Sequence, residues 1–189
     1  MIPVRSAPDT ADARGQVLLS IARESLLTAF GRALGAPHPE PWLDEPGATF
    51  VTLRLSGELR GCVGSIRAYR PLRDDVHSNA RAAAFSDTRF PPLARSELDA
   101  VSLEVSLLSE PDPLPVRDEE ELCRVLRPGV DGVILECHDC RGTFLPQVWE
   151  QLPDPREFLA HLRHKAGLPP GFWHNDLRVW RYTVTKWEE

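Results

Sequence analysis

The stretch ATFVTLRLSGELRGCVGSI, residues 48–66, constrains the fold more than any other. Two extended runs meet at Ser56-Gly57, and a Gly-bearing turn between such arms predicts a hairpin. A hairpin commits the surrounding sheet to antiparallel pairing. The return arm is unusual, because Gly61 and Gly64 flank Cys62 and Val63. Glycine inside a strand weakens it and permits a bulge or the close approach of another backbone. Cys62 therefore has two readings. It is a reactive thiol, with Arg60 and backbone N–H groups near the glycines supplying a positive environment. Or it is a small residue that fits a crowded space between the hairpin and the next helix. A cysteine nucleophile also needs a base, and the nearest histidine, His77, belongs to that next helix.

The rest of the chain mixes helices and strands without regular alternation. Val17, Leu18, Ile21, Ala22, Leu26, Phe30 and Leu34 share one helical stripe, predicting a helix over 10–34 that stops at Gly35 and Pro37. Pro71 suits the first turn of a helix reaching about Phe85, with Asp74 and Asp75 near its positive end. Ala80, Ala82, Ala83 and Ala84 thin one side of that helix, so it can lie close against a sheet.

AVSLEVSLLSE alternates with period two, setting Val101, Leu103, Val105 and Leu107 on one face and Glu104 on the other. DEEELCRVLRPG reads as a short helix with Cys123 in its core pattern. VDGVILECHDCRGTFLPQVW reads as a strand, a turn at His138-Asp139 and a return arm. DPREFLAHLRHKAGL is a helix that Gly167 ends, and DLRVWRYTVTKWEE closes the chain as a strand. The expected class is α+β: a largely antiparallel sheet or sheets with flanking helices, in a single domain over 10–189 after a flexible segment 1–9.

Composition narrows the function classes. A net charge of −6 argues against extended nucleic-acid binding, which calls for a strongly basic surface. Six arginines against four acids between Gly57 and Phe90 nevertheless leave a local excess of +2. Such a patch attracts a phosphate or carboxylate, unless its arginines close surface ion pairs. No apolar run is long enough for a membrane span, and the first fifteen residues lack a signal-peptide core. The four cysteines do not form a disulfide framework, so a cytoplasmic location is expected. Neither a dinucleotide fingerprint nor a phosphate-binding loop of the Walker kind occurs.

Cys137 and Cys140 form a C-x-x-C across the predicted turn, a geometry that zinc accepts. His161 and His164, one helical turn apart, would complete a Cys2His2 set. The lesser weight of this signal comes from there being one such pair, with His spacing shorter than a finger's. No cofactor is expected, zinc on this set being the minor alternative.

Several blocks together carry a resemblance. ELRGCVGSIRAYRPL (58–72), AAAFSDTRFPPL (82–93), LEVSLLSEPDPL (103–114), PGVDGVIL (128–135) and RGTFLPQVWEQLPDPREFLAHLRHKAGL (141–168) occur in the order of the AMMECR-domain family. The chain resembles its bacterial branch, the AmmeMemoRadiSam system protein A type. The resemblance implies a compact α/β unit with a larger and a smaller lobe and an RGC segment near a cleft. It implies association with a Memo-like protein and a radical S-adenosylmethionine protein. The family motif falls on Arg60, Gly61, Cys62 and Gly64; CHDC, His161 and His164 depart from the family pattern.

The expected site is a polar cleft with Arg60, Gly61, Gly64, Arg89 and Gln147 as ligand contacts, for an anionic or nucleotide-like group. Cys62 contacts or attacks that group. The competing expectation is a non-catalytic scaffold in which RGCVG is structural, and whether the chain is an enzyme stays open.

Overall fold

The computed structural model describes residues 10–32 and 38–189. The expectations for residues 1–9, and those placed on Leu34, Gly35 and Pro37, lie outside the described residues. In chain order the elements are α1 (Thr10–Ala29), β1 (Pro46–Gly47), β2 (Thr49–Leu55), β3 (Glu58–Gly64), β4 (Arg70–Pro71), α2 (Leu72–Phe85) and β5 (Val101–Leu108). There follow β6 (Asp112–Pro113), α3 (Glu119–Val125), β7 (Gly132–Cys137), β8 (Cys140–Phe144), α4 (Pro155–Lys165), β9 (Arg178–Tyr182) and β10 (Val184–Glu188). All recorded strand pairs with a register are antiparallel, as the hairpin signal requires. The fold is α+β.

The chain divides into two compact units: one runs to Leu108 and takes back Thr185–Glu189, the other is Ser109–Val184. The first unit is built on a four-stranded sheet in the order β10-β5-β2-β3. Its core gathers Leu18, Ala22 and Leu26 of α1, Val76, Ala80 and Ala83 of α2, and Val51, Leu53, Leu103 and Val105 of the sheet. The first helix stops short of residue 34. The Arg32 and Gly31 N–H groups donate to Leu27 and Thr28 carbonyls at 2.9 Å each, with Gly31 at φ 71°, the paired closure of a Schellman cap.

One buried carboxylate fastens the first unit. Asp75, fully buried on α2, accepts from the Thr49 N–H at 2.8 Å and hydroxyl at 2.7 Å, both on β2. It accepts as well from Ser65 at 2.7 Å, Arg70 Nε at 2.8 Å and Asn79 at 2.9 Å. A buried carboxylate is tolerated only when hydrogen-bonded to this degree. The consequence is local: the chain just past Gly64 is tied to α2, and the orientation of the return arm is fixed with it.

The second unit carries the sheet β6-β9-β7-β8. Phe158, Leu159 and Leu162 of α4 are buried against Val133 and Leu135 of β7, and the rings of Trp149 and Phe158 stack at 3.7 Å. Asp154 caps α4 by accepting from Arg156 and Glu157 N–H groups, and Asp118 caps α3 by accepting from Glu121. Cys123 on α3 is half-buried beside the core rather than in it. The expected single closing strand is two strands. β9 pairs with β7 in the second unit, whereas β10 joins β5 in the first. The break falls at Thr183, whose N–H turns to the Ser109 hydroxyl at 3.0 Å.

Candidate functional site

Around Cys62 the local sequence sets three things in order. The first is a bulge. Leu53 pairs with Gly61 but Arg54 pairs with Leu59, so Arg60 has no residue opposite it. Freed from the ladder, Arg60 is aimed at the segment 91–97. Its Nε and Nη2 grip both Glu97 carboxylate oxygens at 2.8 and 2.9 Å, and Nη1 donates to the Pro91 carbonyl at 2.9 Å. A further bond from Nη2 reaches the Pro92 carbonyl at 3.3 Å. Hydrogen bonding to Glu97 raises the Arg60 pKa, and the reciprocal bond holds the Glu97 carboxyl low. Only 11% of the Arg60 side chain is exposed. Arg60 ties a connection in place and leaves little of itself for a ligand.

The second is close packing. A Cβ on Gly61 would lie 2.1 Å from the Ala83 carbonyl oxygen, so β3 and the alanine side of α2 meet backbone to backbone. A Cβ on Gly64 would lie 2.3 Å from the Phe50 ring and 2.5 Å from the Thr49 carbonyl oxygen. Both glycines are required by contact with protein, which is sufficient reason for their presence.

The third is the thiol. Because side chains alternate along a strand, Cys62 faces away from the helix that Gly61 touches. It is half-buried, and its sulfur accepts the Thr52 hydroxyl at 3.3 Å. β3 is an edge strand of its sheet, and the segment after α2 covers the Cys62 backbone. The Cys62 N–H donates to Asp87 at 2.9 Å, and Arg89 Nη2 donates to the Cys62 carbonyl at 3.2 Å. Arg89 and Asp87 form a two-point pair, Nε to Oδ1 at 2.9 Å and Nη2 to Oδ2 at 2.7 Å. This pair, helped by the Cys62 and Arg89 N–H groups, holds the Asp87 carboxyl well below the usual carboxylate range against the opposing effect of burial. The Arg89 pKa is raised, first by its bond to Asp87. Arg89 is 55% exposed, and among the described residues its Nη1 has no hydrogen-bond partner.

Register extends the site across the sheet. Thr52 stands opposite Cys62 on one side and opposite Glu104 on the other. Glu104 is buried, and Lys186 pairs with it at 3.1 Å. Glu104, Thr52 and Cys62 thus form one polar row on the face away from the helices, each step one strand spacing of about 4.8 Å, and Lys186 of β10 is ion-paired to its Glu104 end. Thr52, Asp87, Glu104 and Lys186 are absent from the sequence expectation. Glu104 left a signal, as the lone charge on the non-core face of a period-two strand; the others left none.

The remaining expected residues belong to other elements. His77 is exposed on α2 and lines a cavity with Glu24 and His38, so it is not brought to Cys62. Gln147 is exposed in a short turn of the second unit. His161 and His164 are exposed on α4, and Cys140 is half-buried on β8. Among the described residues, the metal-capable group contains Cys137 with His138 and His174 and none of Cys140, His161 and His164. Burial pushes the Cys137 thiol up, with Asp176 and Cys140 adding to it, and burial raises Cys123 likewise. Arg70, Arg73 and Arg89 each pair with an acid, as does Arg60, so most of the local positive excess is absorbed in ion pairs.

Similarity to known proteins runs along most of the chain. The AMMECR1 family description matches residues 19–187. A Methanothermobacter thermautotrophicus protein is 38% identical over 98% of this chain and 99% of its own length. A Sulfolobus acidocaldarius protein is 40% identical over 86% of this chain and 75% of its own. Among solved structures, that of the uncharacterised protein PH0010 from Pyrococcus horikoshii superposes with a TM-score of 0.77 at 34% identity, covering 93% of this chain and 91% of that one.

Proposed function

Since this chain belongs to the AMMECR1 family, we propose that its working group is the Cys62 thiol, at a small polar site that takes an anionic or nucleotide-like ligand. Arg89 is the anion contact, through its exposed Nη1, and Cys62 touches or adds to the ligand. Arg60, Gly61 and Gly64 support the site without contacting the ligand. One observation carries the reading: a half-buried sulfur accepts a hydroxyl hydrogen bond beside an exposed guanidinium. Any negative charge that develops on the sulfur or on the ligand meets donors already in place. The wider role is that of an accessory or modifying component working with the Memo-like and radical S-adenosylmethionine proteins of the family association.

The test is charge-selective alkylation of Cys62. Iodoacetate, an anion, gains over neutral iodoacetamide wherever a guanidinium stands beside the thiol. Replacing the pair together, as Asp87→Asn with Arg89→Gln, avoids leaving Asp87 unpaired. The double variant is expected to lower the iodoacetate-to-iodoacetamide rate ratio at Cys62 by about two- to fivefold, the scale of an exposed charge contact. An unchanged ratio removes Arg89 as the anion contact.

A second reading has its own observation. The tie from Arg60 to Glu97 and the contacts of Gly61 and Gly64 account for the RGCVG motif by packing alone. In that case the chain is a scaffold for the two associated proteins. Co-purification with both of them by a Cys62→Ala variant, equal to that of the unaltered chain, favours it.

A further inference from the structure

The hairpin β7–β8 brings together a second set of reactive groups that the site above does not use. Cys137 closes β7 directly opposite Cys140, and the intervening His138 takes φ 51°, which swings its ring out of the ladder. The loop before β9 delivers His174 and Asp176 to the same place. One ligand atom each from Cys137, His138 and His174 lie within 4.8 Å of one another. A carboxylate oxygen of Asp176 is 3.8 Å from His138 Nε2 and 3.5 Å from His174 Nδ1. The two rings approach at 5.8 Å between centroids. We propose that Cys137, His138 and His174, with Asp176 as the fourth donor, form a binding site for a zinc-class divalent cation.

The donor chemistry selects the ion. One thiolate sulfur, two imidazole nitrogens and one carboxylate oxygen suit zinc and its tetrahedral relatives, whereas calcium and magnesium prefer oxygen alone. The distances are compatible with capture. Tetrahedral zinc with ordinary bond lengths sets its nitrogen and sulfur ligands about 3.3–3.6 Å apart. The three sulfur and nitrogen atoms, spread over as much as 4.8 Å, have to close by up to about 1.5 Å, Asp176 has to swing in to join them, and the groups able to move are the exposed ones. His138, His174 and Asp176 are all exposed, while Cys137, buried in β7, is the fixed point. On capture the Cys137 S–H bond breaks, its proton passes to water, and a sulfur–metal bond forms in its place.

The companion cysteine is differently employed. Cys140 packs with Ala166 and Leu168, and its sulfur lies 4.0 Å from where a Cβ on Gly167 would sit. His161 and His164 are exposed on α4 and have no place in the group. Glu136 and Arg178, partners in register, line the same cavity, and Glu136 lies 3.9 Å from Arg141 Nη1.

The experiment is a cobalt(II) titration of the metal-stripped full chain under reducing conditions, followed by competition with zinc. Cobalt reports tetrahedral coordination through its visible bands and thiolate coordination through a sulfur-to-metal charge-transfer band. One equivalent is expected to bind with both signatures and to be displaced by zinc. Cys137→Ser should abolish the charge-transfer band. Because Cys137 is buried and its replacement can disturb folding, His174→Ala supplies the independent arm: an exposed residue whose loss is expected to weaken binding at least tenfold with the fold intact by circular dichroism. Cys140→Ser and the pair His161→Ala with His164→Ala should leave binding unchanged. Absence of stoichiometric binding, or indifference to His174→Ala, or dependence on Cys140, His161 or His164 instead, overturns the assignment.

Discussion

Two hairpins of this protein are built alike and employ their cysteines differently. In β2–β3, Gly61 presses the return arm onto α2; in β7–β8, Gly142 does the same against α4, where a Cβ would meet Ala166 and the Leu162 carbonyl. Each hairpin therefore holds a thiol on an arm whose position a helix dictates. Around Cys62 the polar groups are already committed: Arg60 to Glu97, Asp87 to Arg89 and to the Cys62 N–H, Thr52 to the sulfur itself. Around Cys137 the imidazoles are exposed, with Asp176 as their charged neighbour. The difference separates two meanings of a motif. RGCVG is the motif on which the family resemblance was expected to rest, yet most of its residues are explained by packing and by one ion pair. CHDC supplies two of the three closely grouped metal-capable residues, and His174 is the third.

The comparison is broken most forcefully at the two glycines. At Gly61 the obstacle is a backbone oxygen 2.1 Å from the new Cβ, and Gly61→Ala is expected to cost about 3 kcal/mol. At Gly142 the nearest atom is the Ala166 Cβ at 2.9 Å, and Gly142→Ala should cost about 1 kcal/mol. Denaturant melts of both variants decide the point; equal costs would mean that the two arms are held equally loosely.

A smaller effect distinguishes the groups that support the thiols. Asp87 has its pKa lowered in the fold, so its stabilising contribution is complete above its ordinary value of 3.8 and is lost as pH falls toward the folded value. Asp87→Asn should therefore flatten the acid limb of stability below about pH 4, compared with the unaltered chain. An identical acid limb in the variant would show that the pair with Arg89 contributes nothing to folding.

Much of the frame was legible in the sequence, because it depends on local signals. The Ser56-Gly57 turn, the period-two run from Val101 and the end of the later helix at Gly167 act over a few residues and appear where expected. What escaped depends on register and on distant partners. Arg60 reads as a free cation until the bulge turns it toward Glu97, which no spacing rule anticipates. Glu104 and Thr52 join Cys62 only because two strand registers align them. His174 reaches Cys137 from the loop before β9, some 37 residues later in the chain, whereas His161 and His164, which have the more suggestive spacing, sit on the exposed side of α4. The closing strand misled for the opposite reason: its alternation continues across Thr183, where the chain leaves one sheet and enters another.

The central claim is that Cys62 is a working thiol held by a packed motif. It is tested most directly by cysteine-resolved alkylation of the folded protein at neutral pH, with peptide mass spectrometry counting label at Cys62, Cys123, Cys137 and Cys140. The account predicts that Cys62 is modified ahead of the two thiols raised by burial, Cys123 and Cys137, and that Cys62→Ala changes stability by less than about 1 kcal/mol. Labelling of Cys62 no faster than Cys123, together with a larger loss of stability in Cys62→Ala, would contradict it and leave the motif a matter of packing.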